Sequence, residues 1–206
     1  MVLVVCALRE ELATLAERPY VTLLQSGIGP VEAAIATARA LAVTRYTLVI
    51  NAGIAGGFRE HVSVGDSVAV TEEFYAEIGR EDGLELDLPN GAAIDERVIS
   101  DPRLLSPYKE GLLGSHLGVG VTSATVTTSD ARAAELAKKY GALVESMEGF
   151  SVLRAARRAS VPGIELRGIS NIVGDRASNG WDFRAGRDAA VRAVDAFLDN
   201  LDLGFA

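Results

Sequence analysis

Short apolar runs alternate with helix-like patterns along most of the chain, and that alternation restricts it to an α/β fold. Val2–Leu8, Tyr20–Gln25, Thr47–Gly53, Asp66–Phe74, His116–Val126, Ala142–Ser146 and Ile164–Val173 read as strands. Between them, Arg9–Glu17 shows helical spacing, with Leu8, Leu12 and Leu15 on one side. Pro30 suits the first turn of an Ala-rich helix reaching about Ala42, where its missing N–H costs nothing. Ser129 can cap a helix that runs through about Tyr140. Further helices are expected from about Glu148 to Ala159, stopped by Pro162, and from about Arg184 to Leu201. The segment GIAGG (Gly53–Gly57) reads as the turn that ends the Thr47 strand. Residues 76–115 have weak periodicity and read as loops with a short helix near Arg103. With no repeat and no linker in 206 residues, the reading is one domain, 1–206. Its sheet is mostly parallel or mixed, has helices on both faces, and carries its site at the carboxyl ends of strands.

Composition narrows the function. A formal net charge of −8 repels a phosphate polymer, which argues against nucleic acid as a partner. The single cysteine, Cys6, lies inside an apolar run and reads as a buried thiol. His61 and His116 are far apart with no cysteine near, so no metal-ligand spacing and no cofactor site is expected. Residues 2–8 are too few for a signal segment and are followed at once by Arg9, Glu10 and Glu11. No apolar run approaches the ~20 residues of a membrane span. The expectation is a cytoplasmic protein without a membrane partner.

Polar and Gly-rich clusters sit at the ends of several expected strands: Glu10–Glu11, Ser26–Gly29, Asn51–Gly57, Thr122–Thr128, Glu145–Gly149 and Arg167–Arg176. Their convergence on one rim is a stronger signal than any member. The Gly27-Ile28-Gly29 turn lacks the third glycine of a dinucleotide fingerprint, since Glu32 stands there. The nucleophile elbow GxSxG does not occur. Acidic residues remain. Glu11 is either a solvated first-turn carboxylate or a functional one. Glu145 and Glu148 flank Met147 where a strand meets a helix; such a carboxylate can clamp a diol or simply end the helix. Arg167 lies inside an apolar strand, where a charge needs a carboxylate or polar partner.

VESMEGF (Val144–Phe150) followed by RGISNIVGDR (Arg167–Arg176) resembles the nucleoside phosphorylase and nucleosidase family, as do AGIAGG (Ala52–Gly57), SGIG (Ser26–Gly29) and REE (Arg9–Glu11). The motifs follow the family's order over nearly the whole chain. The resemblance implies a single α/β domain whose mixed, partly closed sheet is flanked by helices. It also implies a homo-oligomer, dimer or larger, and a small-molecule nucleoside substrate. Met147 and Glu148 match the ribose-binding pair, and Ile28 matches a residue of the ribose floor. Glu11 matches the acid that activates the attacking water, and Arg167 an arginine near that water. Val126 and Thr127 match the segment lining the base. Asn171 falls where adenine-specific nucleosidases carry an aspartate that serves the leaving base.

Two departures bear on chemistry. An amide at Asn171 offers an NH₂ donor for a 6-oxo group and a C=O acceptor for a protonated N7, which points to a hypoxanthine-type base. Ile54 stands where the nucleosidases often have a serine near the water. The Ser26–Glu32 turn contains no arginine, and Arg59 and Arg80 lack a phosphate-like setting, so water rather than phosphate is the expected nucleophile. Trp181 and Phe183, with Arg176 and Arg184, either cover the 5′ end of a substrate carrying an aryl carboxylate or pack the last helix.

Overall fold

The structure is a computed structural model and describes residues 1–80, 84, 87–111, 113–175, 177 and 180–204; Arg176 lies outside the described residues. Among them the strands are β1 (Val2–Cys6), β2 (Val21–Gln25), β3 (Leu48–Gly57), β4 (Ser67–Tyr75), β5 (Arg97–Ile99), β6 (His116–Thr122), β7 (Ala142–Ser146) and β8 (Gly163–Ile172). The helices are α1 (Pro30–Val43), α2 (Ser106–Lys109), α3 (Asp130–Tyr140), α4 (Gly149–Arg158) and α5 (Phe183–Gly204).

β3 organises the sheet. Its first half pairs with β1 in parallel, its last two residues pair with β7 antiparallel, and nearly its whole length pairs with β8 in parallel. β8 also pairs with β4 antiparallel, β4 with β6 and β6 with β7 in parallel. The ring β3–β7–β6–β4–β8 is therefore closed, with β1 and β2 extending it from β3 and β5 from β4. This is the mixed, partly closed sheet that the resemblance implies. Closure removes most sheet edges.

The apolar runs fold this way because the sheet is covered on both faces. In β1, Leu3 and Val5 pack with Val49 against Ala33 of α1 and Val152 and Ala156 of α4. The alternate residues Val4 and Cys6 pack with Ile50, Ile164 and Leu166 against Ala190, Val194, Phe197 and Leu198 of α5. A strand buried on both sides shows no polar alternation. Each fully buried Leu or Phe contributes roughly 1.5–3 kcal/mol relative to exposure. The Cys6 thiol is in this core, and burial, reinforced by the nearby Glu11, pushes it up to about 12. No helix among the described residues is long and apolar enough to cross a membrane.

Three expectations from the sequence need correction. The helix expected over Arg9–Glu17 is a single 3-10 turn, Arg9–Leu12. The Glu11 side chain folds back to accept from the Leu8 N–H, which closes the turn early. The expected turn GIAGG is instead the second half of β3. Its glycines are there for clearance, since a Cβ at Gly57 would lie 2.4 Å from Val62 Cγ2. The 76–115 loop region also contains a strand, β5, which pairs with Glu72–Phe74. Ser129 does cap α3, accepting from the Arg132 N–H at 3.3 Å.

α5 lies directly on β8. A Cβ at Gly168 would stand 2.0 Å from the Gly186 carbonyl oxygen and 2.5 Å from the Ala190 nitrogen. Neither is the end of a flexible side chain, so strand and helix backbones must separate to admit a methyl group. Gly168→Ala is expected to cost about 3 kcal/mol, at the upper end for overpacking. Thermal unfolding checks this as a fall in Tm of ~6–12 °C.

Candidate active site

A cleft of about 310 Å³ opens where the ends of β1, β3, β7 and β8 meet the loops that follow them. Larger grooves, about 680 and 890 Å³, lie elsewhere and hold none of the candidate residues. Glu11, Ile28, Val126, Thr127, Met147, Glu148, Asn171 and Trp181 all line the smaller cleft. Arg167 does not; it lies behind the wall, 1% exposed.

Glu11 is positioned by two backbone donors. The Leu8 N–H reaches Oε2 at 2.9 Å and the Ile54 N–H reaches Oε1 at 3.0 Å. Gly53 makes room, because a Cβ there would sit 2.7 Å from Glu11 Oε1 and 3.1 Å from Arg167 Nη1. Burial raises the proton affinity of Glu11, while the Leu8 and Ile54 N–H groups and Arg167 hold it down. The result is a carboxylate more basic than an ordinary glutamate, fixed at a cleft wall. That combination suits a general base.

Glu148 stands at the start of α4 and is almost fully buried. Its Oε1 accepts from the Gly29 N–H at 3.0 Å. Gly29 has φ +95°, which a residue with a side chain adopts only under strain, so the SGIG turn can present this N–H. Glu148 Oε2 lies 3.6 Å from Arg167 Nη2.

Arg167 is the hub behind the wall. Its Nε donates to Glu165 Oε1 at 2.8 Å, its Nη2 to Asn51 Oδ1 at 2.6 Å and its Nη1 to the Ile54 carbonyl at 3.3 Å. Burial alone would lower its proton affinity, but Glu165 and Glu148 raise it further than burial lowers it, and it stays cationic. Beyond it, Glu73 is fully buried and accepts from the Thr122 hydroxyl at 2.7 Å. Burial and the neighbouring Glu165 carboxylate hold Glu73 protonated to higher pH than an ordinary glutamate.

Asn171 defines the other end of the cleft. Its Oδ1 lies 3.0 Å from the Ser170 hydroxyl, and its Nδ2 donates to the Ile172 carbonyl at 3.2 Å. Gly56 lies beneath it, since a Cβ there would come within 3.2 Å of Asn171 Nδ2. The Val126–Thr127 segment is tied down by Glu145, whose Oε1 accepts from the Thr127 N–H at 2.9 Å. At the mouth, Ile28, Val126 and Trp181 are exposed, and Trp181 meets Phe183 edge to face at 5.7 Å.

The expected strand-end convergence is therefore present, and the charge of Arg167 has the carboxylate partners that an apolar strand demanded. Of the supporting layer, sequence reasoning had Asn51 and Thr122 in its polar strand-end clusters and missed Glu73 and Glu165. Glu73 and Glu165 carried a readable signal, since each is a carboxylate inside an apolar strand.

The family model described as Phosphorylase superfamily matches residues 9–201. A futalosine hydrolase of Thermus thermophilus is 35% identical over 180 residues, covering 85% of this chain and 80% of that protein. A 5′-methylthioadenosine/S-adenosylhomocysteine nucleosidase of Bacillus subtilis is 30% identical over 194 residues, covering 88% and 80%. Among solved structures, the native futalosine hydrolase of Helicobacter pylori superimposes with a TM-score of 0.81 at 17% identity, covering 97% of each chain. At that identity the likeness bears on the fold.

Removing the Arg167 cation leaves Glu165 and Glu148 without their buried counter-charge. Arg167→Met is expected to destabilise by about 3–5 kcal/mol. Arg167→Lys keeps the charge but not the fork that reaches Glu165, Asn51 and Ile54 together, and should recover only part of the loss. Urea unfolding of the two variants beside the parent protein measures both effects.

Proposed function

The chain belongs to the phosphorylase superfamily, and from that membership and the cleft's geometry we propose that it hydrolyses the N-glycosidic bond of futalosine and releases hypoxanthine. The observation that carries this reading is the character of the wall. It offers three carboxylates, Glu11, Glu145 and Glu148, and one amide, Asn171, while no described residue lining it is a lysine or arginine. A phosphate nucleophile needs cations; water does not. Arg59 and Arg80, the alternatives weighed from sequence, do not line the cleft.

In the proposed reaction Glu148 accepts hydrogen bonds from the ribose hydroxyls and places negative charge near the oxocarbenium-like sugar. Met147 and Ile28 flank the ribose. Glu11 takes a proton from water as the new C1′–O bond forms. The C1′–N9 bond breaks, its electron pair moves to the purine, and the purine takes up a proton from solvent at N7, matched by the proton that Glu11 returns to solvent. Asn171 Nδ2 donates to O6, and Oδ1 accepts from N7 once that atom is protonated. Val126 and Thr127 line the base, and Trp181 with Phe183 covers the 5′ substituent. Arg167 acts through Glu11 and Glu148, whose charges it balances. The reaction places the protein in the futalosine route of menaquinone biosynthesis. The exposed apolar side chains of Ile28 at the cleft and of Val31 and Ile35 on α1 support the homo-oligomer expected from sequence.

Chromatography of the free base tests the reading. Incubation with futalosine should release hypoxanthine without added phosphate; adenine release from methylthioadenosine with no hypoxanthine from futalosine would overturn it. Glu11→Gln should lower kcat by ~10²–10⁴ with little change in KM. The base must be ionised, and burial raises the pH at which Glu11 takes up its proton. On acidification kcat/KM should therefore begin to fall at a higher pH than an ordinary glutamate would give, which a pH–rate profile reads directly.

A further inference from the structure

Glu145 is the carboxylate on the cleft wall that the proposed hydrolysis does not use. It is 8% exposed. Its Oε1 accepts from the Thr127 N–H, while its Oε2 is buried and has no hydrogen-bond partner. A buried carboxylate oxygen without a donor is costly, and natural structures rarely keep one without a reason.

Sheet register says where this side chain stands. Glu145 on β7 pairs with Gly56 on β3, and Gly56 pairs with Asn171 on β8. Directly paired residues project from the same face of a sheet. Glu145 and Asn171 therefore flank Gly56, which has no side chain, at the floor of the cleft that all three line. Their backbones are two strand spacings apart, about 10 Å. That gap admits a flat purine set between an amide and a carboxylate.

The edge of a 6-oxopurine presents N7, O6 and N1–H in sequence. Asn171 suits the first two. N1–H is a donor, and an ionised carboxylate can only accept. Adenine presents a lone pair at N1 instead, which a carboxylate repels. We propose that Glu145 is a second base-reading residue whose carboxylate accepts the N1–H of a 6-oxopurine and disfavours adenine. This rests on the proposed hydrolysis of a 6-oxopurine nucleoside. It extends base recognition to the side of the ring away from Asn171.

Glu145→Gln separates base reading from anchoring, because an amide oxygen still accepts the Thr127 N–H. The unaltered enzyme and the variant are assayed on futalosine and on its 6-amino analogue. The expected result is a fall of at least tenfold, by comparison with known losses at hydrogen-bonded sites, in the ratio of kcat/KM for the 6-oxo over the 6-amino substrate. An anchoring role alone lowers both substrates by one factor, and an unchanged ratio overturns the proposal. A second measurement needs no variant. Hypoxanthine should inhibit the unaltered enzyme at least ~10-fold more tightly than 1-methylhypoxanthine, which lacks the N1–H; equal inhibition also overturns it. Failure of the unaltered enzyme to release hypoxanthine defeats the parent reading and this one with it. Normal release with an unchanged ratio defeats the role of Glu145 alone.

Discussion

The site depends on one buried cation. Arg167 is 1% exposed and holds Glu165, Asn51, the Ile54 carbonyl and, at longer range, Glu148. Carboxylates crowded into an apolar barrel repel one another, and each would otherwise take up a proton. A guanidinium with donors in a fixed fork can serve several of them at once without moving. It therefore fixes charge and geometry together, with Glu148 and Glu11 at the cleft wall and Glu73 deeper, where burial and the neighbouring Glu165 raise its proton affinity. Glu11 and Glu148, two of the three carboxylates on the cleft wall, can then differ in role although they share a neighbour.

Glycine is what lets these side chains reach the cleft. Gly53 leaves space for Glu11 and Arg167, Gly56 for Asn171, and Gly57 for Val62 and Ile169. None of the three has a positive φ, so they are selected for the space they leave and not for an unusual backbone. This is why GIAGG misleads as a sequence. Glycine pairs usually punctuate turns, yet here the strand continues and the glycines line the inside of the wall.

The core strands, the helix caps and the convergence of polar strand ends were legible because each follows from local pattern. The last helix is expected from about Arg184 to Leu201, close to α5 as found, and Ser129 is expected as the cap of α3. Barrel closure was not legible from periodicity, since nothing in the Asp66–Phe74 pattern says that it pairs with Gly163–Ile172. Nor was the short Arg9–Leu12 turn, because Glu11 is held by one local donor, the Leu8 N–H, and one distant donor, the Ile54 N–H, which the leucine spacing that suggested a helix does not show. Among site residues, those at strand ends and the strand-interior cation Arg167 were found, while the strand-interior carboxylates Glu73 and Glu165 were not. A carboxylate in the middle of an apolar strand signals a buried partner but does not say which residue that partner is.

The closing strand carries a consequence for how the molecule is made. β8 lies late in the chain, pairs with both β3 and β4, and supplies Arg167 and Asn171. Until it is in place, two strands made much earlier in the chain have open edges and the interior acids have no counter-ion. Non-local pairing of that kind slows folding, and unpaired edges invite association with other chains. During synthesis the nascent chain therefore has no working site to protect it and depends on its last third to bury what the first two thirds expose. Folding and competence arrive in a single late step, and a truncated product should be an aggregation hazard and not a weaker enzyme.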